Sequence, residues 1–255
     1  MNTSSEIKEA VRQKYAEIAQ GDAAVQKAVS SCCGGGECGS AAVVDMSLGY
    51  DDAARASIPE GADLGLGCGT PAGFAALREG MTVLDLGSGA GIDCFVASKH
   101  VGPGGKVIGV DMTDAMINKA NENKAKVNAS NVEFRLGEIE SLPVDTGTVD
   151  RVISNCVINL VPDKEAAFRE IYRVLKKGGS FTVSDIVIDG TVTETERKDA
   201  SLWAGCISGA IDRKEYLAII NKTGFSDVKV ASEKKYDYKL ASGAAMFSIT
   251  ISGTK

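Results

Sequence analysis

A glycine-rich turn between an apolar strand and a helix is the feature that most constrains this chain. The segment VLDLGSGAGID, residues 83–93, places Gly87, Gly89 and Gly91 directly after a predicted strand. Because glycine lacks a Cβ, the backbone of such a turn can approach a ligand closely. Asp111 ends the next predicted strand, where an acidic side chain can accept hydrogen bonds from both hydroxyls of a ribose. The turn therefore predicts a nucleotide-binding βαβ unit.

The spacing of the glycines indicates which nucleotide the turn would hold. Dinucleotide-binding turns follow the pattern G-x-G-x-x-G, whereas here Ile92 stands at the position of the third glycine. Asp85, just before the turn, is poorly placed against a pyrophosphate but well suited to a cationic ligand. S-Adenosylmethionine carries an ammonium and a sulfonium group and no phosphate. The pattern favours this ligand, and a tight turn without any ligand is the alternative.

Alternating strands and helices predict the fold around the turn. From residue 81 onward, five strand-like segments alternate with helical patterns, and two more strands are predicted at 225–231 and 244–253. Such alternation predicts an α/β fold with a doubly wound, mostly parallel sheet. Two helical segments, at about 193–208 and 212–222, precede the last two strands, and we expect them to form a small lobe over the site.

The first part of the chain is expected to be an extension of the domain that spans residues 81–255. This extension, residues 1–80, contains the glycine-rich and cysteine-rich segment SSCCGGGECGS at 30–40, which is predicted to be a loop. A helix is predicted near the N-terminus because apolar residues recur there at helical spacing. These residues are Ile7, Val11, Tyr15 and Ile18.

Composition excludes several classes of function. The net charge of −6 argues against nucleic acid as a partner, because phosphate binding needs a surplus of Lys and Arg. No apolar run approaches the ~20 residues of a membrane span, and the N-terminus resembles an amphipathic helix rather than a signal peptide. We therefore expect a cytoplasmic protein. His100 is the only histidine, so chemistry that needs a histidine base or a His-rich zinc site is nearly excluded.

Seven cysteines in a chain without an export signal indicate reactive or metal-binding thiols rather than structural disulfides. Cys156 follows the fourth strand, which in a doubly wound sheet lies beside the first strand and its glycine turn. Several cysteines in loops or at the sheet edge are expected to reach this cleft. They are Cys32, Cys33, Cys68, Cys156 and Cys206. Thiolates select soft ions. For Cys94 and Cys38, we expect the role of small buried hydrophobic residues.

The motifs LDLGSGAGIDCF, GVDMT, SNCVINLVPDKE and YRVLKKGG resemble those of arsenite S-adenosylmethionine methyltransferases, as do GCG around Cys68 and WAGC around Cys206. The resemblance implies a Rossmann-like methyltransferase fold and trivalent arsenic as the methyl acceptor. It implies that Cys156 and Cys206 bind arsenic in both methylation steps. Cys68 and one of Cys32 and Cys33 would complete the binding of arsenite and take part in disulfide turnover.

The same resemblance implies a cofactor, substrates and a reductant. The substrates would be arsenite or methylarsenite, and an external thiol of the glutathione or thioredoxin type would reset the disulfide. The loop GEIESLP, residues 137–143, would lie beside the adenine of S-adenosylmethionine. We assign these residues to the cofactor: Asp85, Gly87, Gly89, Gly91, Asp111, Met112, Glu138, Ile139 and Asn155.

Two other functions remain open at this point. The first is a methyltransferase acting on a small organic metabolite, which would explain the glycine turn and Asp111 but not the cysteines. The second is a non-catalytic thiol protein that binds metal or senses redox state, which would explain the cysteines but not the cofactor motif.

Overall fold

The structure, a computed structural model, describes residues 4–21, 50, 52–195, 209–240 and 242–255. The strands in these ranges are β1 (Thr82–Leu86), β2 (Lys106–Asp111), β3 (Val132–Leu136), β4 (Val149–Asn155), β5 (Leu175–Asp189), β6 (Ser226–Lys239) and β7 (Ala245–Thr254). The α-helices are α1 (Ser4–Ala19), α2 (Asp52–Arg55), α3 (Pro71–Phe74), α4 (Ile92–Val101), α5 (Asp114–Lys126), α6 (Lys164–Val174) and α7 (Arg213–Thr223). A short 3₁₀ helix spans Ile158–Leu160.

All seven strands belong to one sheet in the order β3-β2-β1-β4-β5-β7-β6. The first five strands pair in parallel, and β7 is antiparallel to both β5 and β6. The chain leaves β3 at one edge and returns to β4 beside β1, so the strand order reverses between β1 and β4. Ligands of doubly wound folds bind at such a reversal, outside the carboxyl ends of the strands. The predicted fold is confirmed.

The central strands are apolar on both faces because helices cover both sides of the sheet. On one face, Val83 and Val107 pack with Cys94 and Val96 of α4. On the opposite face, residues of β1 and β2 share a core with α6 and α7. This second core includes Leu84, Ile108, Phe168, Ile171, Tyr216 and Ile220. Packing on both faces fixes the sheet, and the sheet fixes the edge at which the site is built.

Asp163, directly after Pro162, predicts the start of helix α6, and the helix begins there and ends at Val174. Asp163 caps it by accepting a hydrogen bond from Ala166 N at 2.8 Å. In the sequence, Lys-Lys-Gly-Gly at 176–179 predicts the end of this helix, because glycine favours helix ends. In the structure the segment forms the irregular start of β5. Lys255 holds this segment at the sheet through two backbone hydrogen bonds. Gly178 N donates to Lys255 O and Lys255 N donates to Gly179 O, both at 2.9 Å.

The two segments of the expected lobe have different outcomes. The second segment is α7, whose Tyr216 and Ile220 are buried in the core with α6. Helix α7 therefore lies on a face of the sheet, which differs from the expectation of a cover over the site. Most of the first segment, residues 196–208 with Cys206, lies outside the described residues, as do residues 22–49 with Cys32, Cys33 and Cys38.

A cluster of aromatic rings joins α6, α7 and β5, and it predicts a large stability effect. Phe181 is fully buried, and its ring lies 4.6 Å from Phe225 and 5.8 Å from Phe168. We expect Phe181→Ala to lower the free energy of unfolding by about 3–5 kcal/mol, because it leaves a cavity among rings that cannot close it. Urea titration measures the loss. Phe74→Ala, at a ring that is 45% exposed, is the control and should change stability by less than about 1 kcal/mol.

Candidate functional site

A cleft opens at the carboxyl ends of β1, β2 and β4. Its wall includes the glycine turn after β1, the loop after β3, the turn after β4 and one side of α1. Eight of the nine residues assigned to the cofactor line this cleft. They are Asp85, Gly87, Gly89, Asp111, Met112, Glu138, Ile139 and Asn155.

The glycines of the turn have different roles. All three have positive φ, 64° at Gly87, 51° at Gly89 and 96° at Gly91, a region that side chains rarely adopt. A Cβ at Gly87 would strike Val157, and one at Gly91 would strike Phe95, so these two glycines permit close packing of the turn. A Cβ at Gly89 would meet open space. Gly89 thus leaves room for a ligand, and Gly91, which does not line the cleft, shapes the turn.

Asp111 is held at the end of β2 by the turn itself. Its Oδ2 accepts a hydrogen bond from Gly89 N at 3.0 Å, and its Oδ1 accepts one from Thr113 N at 2.9 Å. Burial raises the pKa of this carboxyl, and the backbone donors partly oppose that effect. The carboxyl group is therefore fixed beside the glycine turn, which is the position expected from the sequence for a group that binds ribose hydroxyls.

Two buried carboxyl groups, Asp85 and Asp93, line the cleft. Asp85 is only 2% exposed, and burial raises its pKa, with the negative charge of Asp93 raising it further. Cys94 is buried, and its Sγ donates to Asp85 Oδ2 at 3.2 Å. The buried Ser88 hydroxyl lines the cleft without a hydrogen-bond partner among the described residues. A cationic ligand with polar groups fits these residues.

Helix α1 packs over the cleft and is held there by ion pairs that no sequence pattern indicates. Lys8 Nζ lies 2.7 Å from Glu138 and 2.9 Å from Glu140, and Arg12 lies 3.4 Å from Glu138. Arg12 Nε also donates to Met112 O at 3.3 Å. The partners are a hundred or more residues apart along the chain, so no local pattern could reveal them.

Two of the predicted thiols meet at the cleft. Cys156 lines it, and its sulfur is bonded to that of Cys68, with the two Cα atoms 5.8 Å apart. Cys156 has φ of +58°, uncommon for a residue with a side chain, and its N donates to Ser184 O at 2.8 Å. This sharp turn directly after β4 places the sulfur at the carboxyl edge. Cys32, Cys33 and Cys206 lie outside the described residues.

Asn155, assigned from the sequence to the cofactor, has its side chain committed to the protein. Its Oδ1 accepts from Cys68 N and Gly69 N, and its Nδ2 donates to Gly69 O and Asp93 Oδ2. Asp93 and Tyr50, whose hydroxyl donates to Asp93, were not singled out from the sequence. The acidic residue within the otherwise apolar run IDCFVA, residues 92–97, was a signal for Asp93, because carboxyl groups are rarely buried without a partner.

Other kinds of site find little support in the described residues. No group of three or more His, Cys, Asp or Glu side chains is arranged there to hold a metal ion. His100 is exposed at the C-terminal end of α4, at the end of the helix away from the cleft. No helix in the described ranges is both long and apolar enough to span a membrane.

Comparison with known proteins places the chain in a class and then in a family. A methyltransferase domain family matches residues 77–224, which is more than half of the chain and includes β1 to β5. An arsenic(III) S-adenosylmethionine methyltransferase from Chlamydomonas reinhardtii superposes with a TM-score of 0.69 at 33% identity, covering 84% of this chain and 73% of that one. The fold is that of the S-adenosylmethionine-dependent methyltransferases.

Curated relatives agree on the family. The arsenite methyltransferase of Halobacterium salinarum is 47% identical over 89% of this chain, and the human arsenite methyltransferase is 42% identical over 58% of it. The chain belongs to the arsenite methyltransferase family. It spans 59% of the length of the Halobacterium protein and 42% of that of the human protein.

We expect the carboxyl groups of Asp85 and Asp111 to contribute to the affinity for S-adenosylmethionine. Asp111→Ala should weaken binding by about 1–3 kcal/mol because ribose hydroxyls lose their acceptor, and Asp85→Asn should weaken it because a negative charge is lost. Asp114→Ala, at an exposed acid outside the cleft, is the control. Isothermal titration calorimetry measures all three. Unchanged affinity in both Asp85 and Asp111 variants would contradict the assignment.

The raised pKa values of Asp85 and Asp111 predict that affinity depends on pH. A bound cation favours the charged carboxylates, so their pKa values fall on binding. Affinity should therefore increase as the pH rises from the ordinary carboxyl range through the raised pKa values, with protons released on binding. Calorimetry in buffers of different ionisation enthalpy measures the release, and Asp85→Asn should reduce it.

Proposed function

We propose that this protein transfers the methyl group of S-adenosylmethionine to trivalent arsenic bound by cysteine thiolates. The observation that carries the proposal is the position of Cys156, which lines the same cleft as the glycine turn and Asp111 and lies within bonding distance of Cys68. The names of the Halobacterium and human relatives, arsenite methyltransferases, support the substrate.

The chain's own residues would bind the cofactor and position it. When bound, S-adenosylmethionine supplies an electrophilic methyl group on its sulfonium. Asp111 would accept hydrogen bonds from the ribose, and Asp85 would offset positive charge. Helix α1, anchored through Lys8 and Arg12, would exclude water from the adenine side near Glu138 and Ile139.

The thiolates would hold arsenic and leave its lone pair free. Three thiolates bind arsenite in a pyramidal arrangement, so the lone pair is the nucleophile and no base need remove a proton. We assign Cys156, Cys206 and Cys68 as these ligands. We assign residues 1–80 to an N-terminal helix with cysteine-rich and glycine-rich loops and residues 81–255 to the methyltransferase domain, whose segment at about 193–208 would bring Cys206 to the arsenic side.

Electron balance requires a reductant. Methyl transfer to the lone pair raises arsenic formally from the trivalent to the pentavalent state, and two thiolates can return two electrons to it while they become a disulfide. Cys68 with Cys32 or Cys33 would supply such thiolates. The bond between Cys68 and Cys156 supports the capacity of Cys68 to form a disulfide. A glutathione or thioredoxin-type thiol would then reduce the disulfide, and we place the reaction in the cytoplasm, where such thiols are available.

The alternatives explain less of the site. A methyltransferase for an organic metabolite leaves the cysteine pair beside the cofactor cleft unexplained. A non-catalytic thiol protein leaves unexplained a cleft that is lined by the glycine turn and by acidic side chains. Identity of 47% to an arsenite methyltransferase over most of the chain favours neither alternative.

Incubation of the purified protein with labelled S-adenosylmethionine, arsenite and glutathione tests the proposal. We expect labelled methylarsenicals, separated by liquid chromatography and detected by arsenic-specific mass spectrometry. Activity should survive EDTA treatment and desalting, because thiolates and the arsenic lone pair supply the chemistry. Methyl transfer only to an organic acceptor, or only after zinc or magnesium is restored, would contradict it.

Arsenite and methylarsenite can form different numbers of bonds to thiolates, so we expect the two methylation steps to require different cysteines. Inorganic arsenite offers three bonds to thiolates, whereas methylarsenite offers two because carbon occupies the third. Cys156→Ser and Cys206→Ser should abolish methylation of both substrates, since serine replaces a soft ligand with a hard one. Cys68→Ser and the double variant Cys32→Ser/Cys33→Ser should stop methylation of arsenite only.

Product analysis for each variant with each substrate, under excess thiol, provides the measurement. Cys38→Ser and Cys94→Ser are the matched controls and should remain close to the unmodified protein in both steps. A normal rate of methylarsenite methylation by Cys156→Ser would show that the ligands are assigned wrongly.

A further inference from the structure

We propose that Asn155 is a positioning residue for the thiol loop at residues 67–69, and that Asp93 orients it. In this role Asn155 holds Cys68 against Cys156 and makes no hydrogen bond to the cofactor. The inference deepens the proposed function and rests on it for the role of the thiols, but the geometry that carries it does not involve arsenic.

The hydrogen-bonding capacity of Asn155 is fully used within the protein. Its Oδ1 accepts from Cys68 N at 3.1 Å and from Gly69 N at 3.2 Å, and its Nδ2 donates to Gly69 O at 2.8 Å and to Asp93 Oδ2 at 3.0 Å. A side-chain amide has two acceptor lone pairs and two N–H donors. Asn155 therefore has no hydrogen bond left for the cofactor, although it lines the cleft.

The loop that carries Cys68 depends on side chains for its position. It has no regular secondary structure, so no ladder of backbone hydrogen bonds fixes it. Asn155 at the end of β4 binds its backbone, and Ser248 Oγ of β7 donates to Cys68 O at 2.7 Å. Gly69 lies so close to Ser184 that a Cβ would collide with that side chain. The loop is held against the end of β4 and the adjoining parts of β5 and β7.

Asp93 determines which way the amide of Asn155 points. Its Oδ2 accepts from Asn155 Nδ2, and its Oδ1 accepts from the Tyr50 hydroxyl. A carboxylate accepts hydrogen bonds only, so it draws the NH₂ group and turns Oδ1 towards the two N–H groups of the loop. Asp93 is 3% exposed and lies one residue into α4, directly after the glycine turn. The cofactor turn and the thiol loop are thus joined through one amide.

The consequence is a high effective concentration of the Cys68 thiol at Cys156. Two groups held on fixed backbone meet far more often than two groups on a free loop. Without Asn155 the loop keeps its covalent ends and the bond from Ser248, but it loses three hydrogen bonds to its backbone. The first effect should be on the pairing of the two thiols.

The experiment measures that pairing without arsenic or S-adenosylmethionine. The full chain is equilibrated with glutathione redox buffers, its thiols are alkylated, and the tryptic peptides with Cys68 and Cys156 are quantified by mass spectrometry. For Asn155→Ala we expect an effective concentration of the pair lower by about tenfold or more, with S-adenosylmethionine affinity unchanged. Asn121→Ala is the matched control, since that exposed amide bonds only Ile117 O of its own helix.

Exchanging the two partners separates positioning from a general loss of structure. Asn155→Asp sets two carboxyl groups against each other, and Asp93→Asn removes the acceptor that orients the amide. Each should lower the effective concentration. The double variant Asn155→Asp/Asp93→Asn restores one amide and one carboxylate at the same contact, so it should recover part of the loss, while the donor to Gly69 O stays missing.

The outcomes are distinct. An unchanged effective concentration in Asn155→Ala with weaker cofactor binding would overturn the proposal and make Asn155 a cofactor ligand. A double variant no better than either single variant would remove the role of Asp93. If the unmodified protein methylates no arsenic while these shifts occur, the proposed function fails and the positioning role stands.

Discussion

The parallel pairing of β1 with β4 is the interaction on which the rest of the site depends. Leu86 lies opposite Ser154 in this pair, so the two strands end at nearly the same level. The glycine turn follows one strand and the turn at Cys156 follows the other. Because the strand order reverses between them, no strand fills the space above their ends. The pairing thus brings together the glycine turn, which is the cofactor half of the site, and the turn at Cys156, which belongs to its thiol half. About seventy residues separate the two turns along the chain.

The site contains carboxyl groups that folding alone does not favour. Asp85 and Asp93 are buried and Asp111 is half-buried near them, and desolvation raises the pKa of each carboxyl group. Groups of this kind reduce stability unless they are protonated or paired. Surrounding cores of apolar side chains on both faces of the sheet offset the cost. Such an arrangement is typical of a site that recovers the energy when a cationic ligand binds.

The thiol half is more delicately held than the cofactor half. Hydrogen bonds between strands and helical packing fix the glycine turn, whereas the loop at Cys68 depends on the side chains of Asn155 and Ser248. This difference suits the proposed chemistry. The cofactor must be bound in one geometry, but thiols that bind arsenic, form a disulfide and are reduced again must be able to separate and return.

The sequence by itself determined the sheet, the glycine turn and the position of Cys156 after the fourth strand, because these depend on local spacing and on side-chain chemistry. The glycine turn between β1 and α4 and the end of β2 at Asp111 follow from such patterns. Only the tertiary structure decided that α1 covers the cleft, that Lys176–Gly179 joins β5, and that Asn155 serves the thiol loop. Each of these depends on partners that are distant along the chain and close in space, and a one-dimensional pattern carries no information about which distant groups will meet.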